Sequence, residues 1–106
     1  MTTQQSDIKI TAKNKNNLTT VRVLMPHPME SGYRKDKKSG KLIPANFIQE
    51  MVCESGGKTR LSAVMGGGVS SNPYISFKFH GKKGDMVRVT WVDNRGMTES
   101  NEVQIK

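Results

Sequence analysis

Few side chains in this sequence have the types and spacing needed for covalent chemistry. Nucleophilic catalysis requires a cysteine or serine beside a base that a third group orients. The single cysteine, Cys53, lies in an alternating segment with no basic neighbour in sequence to lower its pKa. The carboxylates fall singly in turns or on strand surfaces. We therefore expect Cys53 to be a buried or half-buried structural thiol and the chain not to be an enzyme. A disulfide between Cys53 and a partner chain is left open.

The segment from Met25 to Met29 could bind a soft metal ion, since it places two thioethers and an imidazole within five residues. Ligands of this kind suit Cu(I). However, two prolines constrain the segment, and no cysteine or second histidine is close to His27 in sequence. We expect these side chains to pack in the core or in a loop, and we predict neither a metal nor a cofactor. A periplasmic Cu(I)-binding β-domain remains an alternative function.

The formal charge of +8 indicates an acidic partner or a protein with lysine-rich solvated loops. The cations are densest in the long irregular segment between Pro26 and Pro44. They are Arg34, Lys35, Lys37, Lys38 and Lys41. An irregular segment of this length is unusual in a compact domain unless it binds a partner or moves. A short hairpin, with Tyr33 opposite Leu42 or Ile43, would also fit.

Aromatic and basic residues interleave from position 74 to position 91, as they do in proteins that bind single-stranded nucleic acid. Such binders present both types on one exposed face. Here the period-2 alternation of a strand puts Phe77 and Phe79 on one face. Lys78 and His80 fall on the opposite face. We therefore expect the aromatic side chains to belong to the core, and a single-stranded nucleic-acid binding β-domain is the other alternative function.

The three consecutive glycines at positions 66–68 suggest a phosphate-binding loop. They lack the Lys-Ser/Thr pair of a P-loop, and no helical pattern follows them. We expect them to allow a bulge, a crossing between sheets or the close approach of another backbone.

The elements that must position these residues are strands, because the sequence alternates in short segments and shows no helical periodicity. About seven segments are bounded by turn residues, at positions 7–13, 19–25, 47–54, 59–65, 75–80, 87–91 and 99–106. This pattern predicts a two-sheet antiparallel β-sandwich as a single domain over residues 7–106, with a flexible N-terminus at residues 1–6. A small closed barrel is the competing fold.

The strongest strand signal lies in residues 72–93, where two alternating segments flank a turn at residues 81–85. We predict that these segments pair as a β-hairpin with a five-residue loop. Its inner face would carry Ile75, Phe77, Phe79, Val87, Val89 and Trp91. In the segment 47–54 we predict that Ile48 and Val52 face inward, because the opposite choice would bury Gln49.

Four stretches together carry a family resemblance: VRVLMPHPMESGYRKD, SGKLIPANFIQEM, SSNPYISFKFHG and GDMVRVTWVDNRGMT. They cover roughly residues 20–100, and they resemble the SoxZ family, the Z subunit of the Sox sulfur-oxidation carrier complex SoxYZ. The combination is specific, whereas no single stretch is. The resemblance implies an immunoglobulin-like β-sandwich, which agrees with the number of strands.

The resemblance also implies a heterodimer with the SoxY subunit, which holds the sulfur substrate covalently on a cysteine in a glycine-flanked C-terminal arm. This sequence ends in NEVQIK, so we expect it to be the non-carrying, non-catalytic subunit in thiosulfate and sulfur oxidation. The family works in the bacterial periplasm. We expect export without a signal peptide of its own, together with the partner.

Two sets of residues are predicted to contact other proteins. Apolar residues around the proline-bounded segment, which the sandwich cannot easily bury, are expected at the SoxY interface. They are Met25, His27, Met29, Ile43 and Phe47. The five cations between positions 34 and 41 are expected to dock other Sox enzymes transiently by long-range attraction. We expect neither nucleic acid nor a membrane as a partner.

Overall fold

A computed structural model describes residues 6–106 of the chain. It contains seven strands: β1 (Lys9–Lys15), β2 (Leu18–Leu24), β3 (Ile48–Ser55), β4 (Lys58–Val64), β5 (Tyr74–Phe79), β6 (Met86–Asp93) and β7 (Thr98–Gln104). Over these residues the chain forms no helix. The flexible N-terminus predicted for residues 1–6 lies outside the described residues, apart from Ser6.

The strands form two antiparallel sheets, with the orders β1-β2-β5 and β4-β3-β6-β7. Alternation of buried and exposed residues explains how they pack. In β2, for example, Thr19, Val21 and Val23 are each 0% exposed, and Arg22 between them is exposed. The apolar residues of both inner faces form one core. The predicted all-β sandwich is therefore confirmed, and its seven strands in two sheets are consistent with the immunoglobulin-like type.

The predicted hairpin between β5 and β6 is wrong, because the two strands belong to different sheets. Strand β5 pairs with β2, and β6 pairs with β3 and β7. The chain crosses between the sheets near Gly81, where a Cβ atom would lie 2.7 Å from Cε2 of Phe79. Both strands still turn their predicted apolar faces inward, since each sheet faces the same core. Alternation identifies the inner face of a strand, but it does not identify the neighbouring strand.

The predicted inner face of β3 is correct only at its start. Ile48 is buried, but Val52 is only half-buried, and the fully buried residues are Met51 and Cys53. The cause is an irregularity in the pairing of β3 with β6 between Ile48 and Glu50. Such a bulge inserts an extra residue, so that the alternation changes phase along the strand. Gln49 stays exposed in spite of the phase change.

The two edges of the sandwich differ. On one edge the end of the chain bridges the sheets, with Asn14 N–H donating to the Lys106 carbonyl at 2.7 Å and Lys106 N–H donating to the Ala12 carbonyl at 3.0 Å. On the other edge β4 and β5 are the outermost strands of their sheets. Their inward residues are only partly buried, namely Leu61, Ala63, Ile75, Phe77 and Phe79.

Candidate protein-docking surface

The segment between β2 and β3 is an ordered projection, and we call residues 30–46 the basic loop. Glu30 and Asn46 close its base through two backbone hydrogen bonds, from Glu30 N–H to the Asn46 carbonyl at 2.7 Å and from Asn46 N–H to the Glu30 carbonyl at 2.9 Å. The chain on either side enters the core at Met29 and Ile48. The sandwich therefore determines where the basic loop emerges.

The two arms of the basic loop pair with each other. Ile43 N–H donates to the Arg34 carbonyl at 2.7 Å, and Lys35 bridges to Leu42. The predicted short hairpin is present, but its register places Tyr33 one residue beyond Ile43 and two beyond Leu42. At the tip, Oδ1 of Asp36 accepts the Lys38 N–H at 2.8 Å. Local hydrogen bonds of this kind order a turn without a packed core.

All five predicted docking cations are exposed on the basic loop. Arg34 donates two hydrogen bonds to Glu30, at 2.5 and 3.1 Å. The hydrogen bonds from Arg34 hold the pKa of Glu30 below its ordinary value. The other four cations, Lys35, Lys37, Lys38 and Lys41, make no ion pair within residues 6–106. Four lysine charges are therefore free to attract an acidic surface.

Two large apolar side chains that were not predicted as site residues lie among these cations. Tyr33 is 88% exposed, and Leu42 is 57% exposed. Exposed aromatic and aliphatic groups within a charged rim are typical of protein–protein contacts. The available signal was the presence of large apolar residues in an otherwise polar loop.

Three of the five residues predicted at the subunit interface lie inside the chain. Met25 is 0% exposed, and His27 and Met29 are each 6% exposed. The expectation that the sandwich could not bury them is therefore wrong, because the turn after β2 folds back into the core. Ile43 and Phe47 are half-buried. Contact of these five residues with a partner remains a prediction.

His27 links this turn to the end of β6. Its Nδ1 accepts the Met29 N–H at 3.1 Å, so the ring proton lies on Nε2, 3.4 Å from Oδ2 of Asp93. Its ring packs edge-on against Trp91, with centroids 5.1 Å apart. Oδ1 of Asp93 accepts the N–H groups of Arg95 and Met97, both at 2.9 Å. Both ring nitrogens thus have structural partners.

This arrangement does not favour the Cu(I) alternative. The imidazole nitrogens of His27 are engaged, and Sδ of Met29 accepts the Ile48 N–H at 3.3 Å. Residues 6–106 contain no group of three or more His, Cys, Asp and Glu side chains that could hold a metal ion. The three soft side chains are used in packing and in hydrogen bonds between elements.

Asn94 and Gly67 contact the two arms of the basic loop near its base. Oδ1 of Asn94 accepts the Phe47 N–H at 2.8 Å, and Nδ2 donates to the Ala45 carbonyl at 3.0 Å. Gly67 lies against the other arm, where a Cβ atom would be 2.8 Å from Cα of Ser31. Two of the three uses expected for the triple glycine are therefore confirmed. Gly67 allows close approach of another backbone, and the segment crosses between the sheets, since β4 and β5 belong to different sheets.

The only cysteine is isolated from solvent. Cys53 is 0% exposed, which confirms the predicted buried thiol. Burial, with a smaller contribution from Glu54, raises the pKa of the thiol to about 11, although the charge of Arg60 opposes this. Because the thiolate is the nucleophile, a thiol with this pKa has little reactivity at neutral pH.

The aromatic residues do not form a stacking surface for nucleic acid. Trp91 is buried, and Phe77 and Phe79 pack partly against the core with their rings stacked at 6.2 Å. Arg60 covers Phe79, with its guanidinium carbon 5.0 Å from the ring centroid. Tyr74 is 58% exposed. The prediction that the aromatic residues belong to the core is confirmed for Trp91 and in part for the two phenylalanines.

In the described part of the chain, no helix has the length and apolar character needed to cross a membrane. No curated protein matches the sequence in a direct comparison. A family model described as "Sulphur oxidation protein SoxZ" matches residues 8–104, which include all seven strands and the basic loop. The family implies a role in sulfur oxidation and association with a SoxY partner. On this match across almost its whole length, the chain belongs to the SoxZ family.

Proposed function

We propose that this chain is the non-catalytic subunit of a heterodimeric sulfur-carrier complex. It binds and supports a SoxY-type subunit, which carries the substrate covalently on a C-terminal cysteine. The observation that carries the proposal is the state of Cys53. A chain of a sulfur-oxidation family whose only thiol is 0% exposed, with a pKa of about 11, is poorly suited to carry the sulfur itself. The partner supplies that thiol.

The carrier subunit contacts the apolar part of the basic loop. The exposed groups are Tyr33 and Leu42, and the half-buried Ile43 and Phe47 extend the same segment toward the sandwich. Met25, His27 and Met29 contribute indirectly, by supporting the base of the loop, since they are buried where the loop begins. Because the loop is already ordered by its own hydrogen bonds, binding costs less conformational entropy than ordering a free segment would.

The interface is tested by co-purifying the chain with its carrier subunit and measuring the dissociation constant. We expect the pair Tyr33→Ala and Leu42→Ala to weaken the heterodimer by about tenfold or more, as for exposed anchors of an interface. Val64→Ala is the matched control, because Val64 is 87% exposed but lies on edge strand β4. Equal affinities for both variants would exclude the basic loop from the interface. Failure of the unaltered chains to associate would contradict the proposed function itself.

The five cations of the basic loop attract the acidic surfaces of other Sox enzymes during transient docking. Exposed charges of this kind act on the association rate more than on affinity. Neutralising Arg34, Lys35, Lys37, Lys38 and Lys41 should slow association of the heterodimer with these enzymes and flatten its dependence on salt. A variant that associates as fast as the unaltered heterodimer, at both low and high salt, would reject this role.

The complex works in the periplasm, and this chain reaches it together with its folded partner. Cell fractionation tests the idea directly. With the carrier subunit present, the chain should be found in the periplasmic fraction. Deleting the carrier gene should leave it in the cytoplasm. Periplasmic chain in the deletion strain would show an independent export route.

A further inference from the structure

The outer face of the β1-β2-β5 sheet is cationic. Its three strands contain no Asp or Glu. They contain five basic residues, and we call these five the basic sheet face: Lys9, Lys13, Lys15, Arg22 and Lys78. All five are exposed, and none makes an ion pair within residues 6–106. This surface is separate from the basic loop, which lies between β2 and β3.

The strand register brings the cations together. One row across the sheet joins Thr11, Arg22 and Ser76. The next row joins Lys13, Thr20 and Lys78. Because neighbouring strands lie about 4.8 Å apart and alternate residues about 7 Å apart, cations and hydroxyl groups interleave over a flat area. A shallow depression of about 300 Å³ on this face is lined by Thr11, Lys13, Lys15, Thr20 and Arg22.

The other sheet has the opposite balance. Strands β3, β4, β6 and β7 contain five carboxylates and three cations. On the outer side, Glu54 and Glu102 flank Arg88 in one row. Glu50 is a further exposed carboxylate on the same strand as Glu54. The excess of positive charge is therefore not spread evenly over the molecule. One broad face of the sandwich attracts anions, and the other does not.

We propose that the basic sheet face docks the acidic surface of a second sulfur-oxidation protein, one other than the carrier subunit. The inference rests on the proposed function, and charge complementarity selects the partner. Five unpaired cations on strands that contain no carboxylate create a potential that steers an acidic protein and fixes its orientation. Hydroxyl groups of Thr11, Thr20 and Ser76 between the cations can accept or donate hydrogen bonds to carboxylates once contact is made.

Other occupants fit this face less well. A second copy of the chain also carries a charge of +8, so the two copies repel each other. Single-stranded nucleic acid needs stacking aromatics, and the three strands offer only one exposed aromatic side chain, Tyr74. A bilayer requires apolar groups that insert, whereas Leu18 and Leu24 are half-buried.

The test uses the heterodimer and two matched five-residue variants. One variant replaces the basic sheet face (Lys9→Gln, Lys13→Gln, Lys15→Gln, Arg22→Gln and Lys78→Gln). The other replaces the five cations of the basic loop by glutamine. Heterodimer formation and circular dichroism are checked first, so that failure of the proposed function is seen before any docking is measured. Association rates are then measured with each purified Sox enzyme of the source cell, at low and high salt.

We expect the sheet-face variant to slow association with at least one enzyme by about tenfold at low salt and to flatten its salt dependence. In the unaltered complex, carbodiimide should cross-link Lys9, Lys13 or Lys78 to carboxylates of that enzyme. Unchanged rates for every enzyme, or cross-links confined to the basic loop, would overturn the proposal. The proposal would also be overturned if the sheet-face variant no longer bound the carrier subunit. The same holds if the unaltered complex binds a 30-nucleotide single-stranded DNA and only the sheet-face variant loses that binding.

Discussion

Cys53 has the side chain with the greatest nucleophilic potential, and its surroundings suppress that potential. It lies on β3 between two sheets, is 0% exposed, and has a pKa raised by burial to about 11. At pH 8 only about one such thiol in a thousand is ionised, compared with roughly a quarter of free cysteines. The sequence indicated this by the absence of a basic neighbour, and the structure adds the burial.

The Cys53 environment predicts slow chemical modification. We expect a thiol reagent to label the native chain at least about 100-fold more slowly than the unfolded chain at pH 8, because both ionisation and access are reduced. Stopped-flow labelling with and without denaturant measures this ratio. A non-reducing gel of the heterodimer should show no intersubunit disulfide at Cys53. Labelling at the same rate in both states would remove the argument that the partner carries the sulfur.

Asp93 makes the stability of the fold depend on pH in the acid range. Burial by itself raises the pKa of its carboxyl, but hydrogen bonds from Met97, Arg95 and His27 outweigh it, so the pKa lies below its ordinary value. A carboxyl with a lowered folded-state pKa stabilises the protein above its unfolded-state pKa, near 4. This contribution is lost as the pH falls through the lower folded-state pKa.

The corresponding variant is Asp93→Asn. We expect it to be less stable than the parent chain at pH 7, because it loses the charge that accepts these hydrogen bonds. The difference in unfolding free energy should shrink as the pH falls below about 4. Urea titrations at pH 7, 4 and 2.5 measure it. A difference that is independent of pH would show that the carboxylate charge is not responsible.

At the level of elements, the basic loop depends on contacts made by the segments around it. The triple glycine between β4 and β5 shows this well, because its members differ in surroundings. A Cβ atom on Gly67 would lie 2.8 Å from the Ser31 backbone, whereas a Cβ atom on Gly68 would meet nothing within 4 Å. Of these two glycines, only Gly67 packs against the arm of the basic loop that begins at Glu30.

Substitution of these two glycines by alanine separates the roles. Gly67→Ala should destabilise the chain by about 1–3 kcal/mol, because the clash involves backbone that cannot move without shifting the loop. Gly68→Ala should change stability by less than about 0.5 kcal/mol. Thermal unfolding gives both values, and amide exchange of residues 30–46 reports the loop. Equal effects of the two substitutions would show that the approach to Ser31 is not tight.

For the molecule as a whole, the last residues join the two sheets at one edge. Ile105 is 2% exposed, and its N–H donates to the Asp85 carbonyl at 2.8 Å. Lys106 then makes two backbone hydrogen bonds to β1, to the carbonyl of Ala12 and from the N–H of Asn14. This edge is closed by the chain itself, in contrast to the edge between β4 and β5.

Because buried residues close this edge, shortening one of their side chains should lower the unfolding free energy substantially. Ile105→Ala should cost about 2–5 kcal/mol of unfolding free energy, because it leaves a cavity where the sheets meet. Val64→Ala on the open edge should stay within about 0.5 kcal/mol, since Val64 is 87% exposed. Denaturant titration of both variants measures the contrast. Similar losses at the two positions would show that burial of the Ile105 side chain does not account for its contribution to stability.

Much of the fold was predictable because the chain alternates so regularly. The seven strands, the two-layer architecture and the inward faces of β5 and β6 follow from period-2 patterns and turn residues. Two predictions failed where pattern carries no information about pairing. The alternating faces of β5 and β6 fit a hairpin and a crossover equally well. A bulge in β3 also changed its phase between Ile48 and Met51.

The candidate site was predictable in part. Clustering along the chain located the five cations of the basic loop, and the short hairpin was one of the conformations considered. The sequence left the burial of Met25, His27 and Met29 undecided, because core packing and an exposed interface both fitted this proline-bounded segment. Their burial follows from contacts distant in sequence, such as His27 with Asp93. The exposure of Tyr33 was likewise decided by how the arms of the basic loop pair.

By itself, the sequence determined what is local: strand segments, net charge, an unreactive setting for its only cysteine, and the motifs of the SoxZ family. Only the tertiary structure decided which strands are neighbours and which apolar residues remain exposed. It also gathered cations from β1, β2 and β5 onto one face. Residues far apart in the chain become neighbours only through strand pairing and the closing of the two sheets. Pairing depends on contacts and hydrogen bonds that no single segment contains.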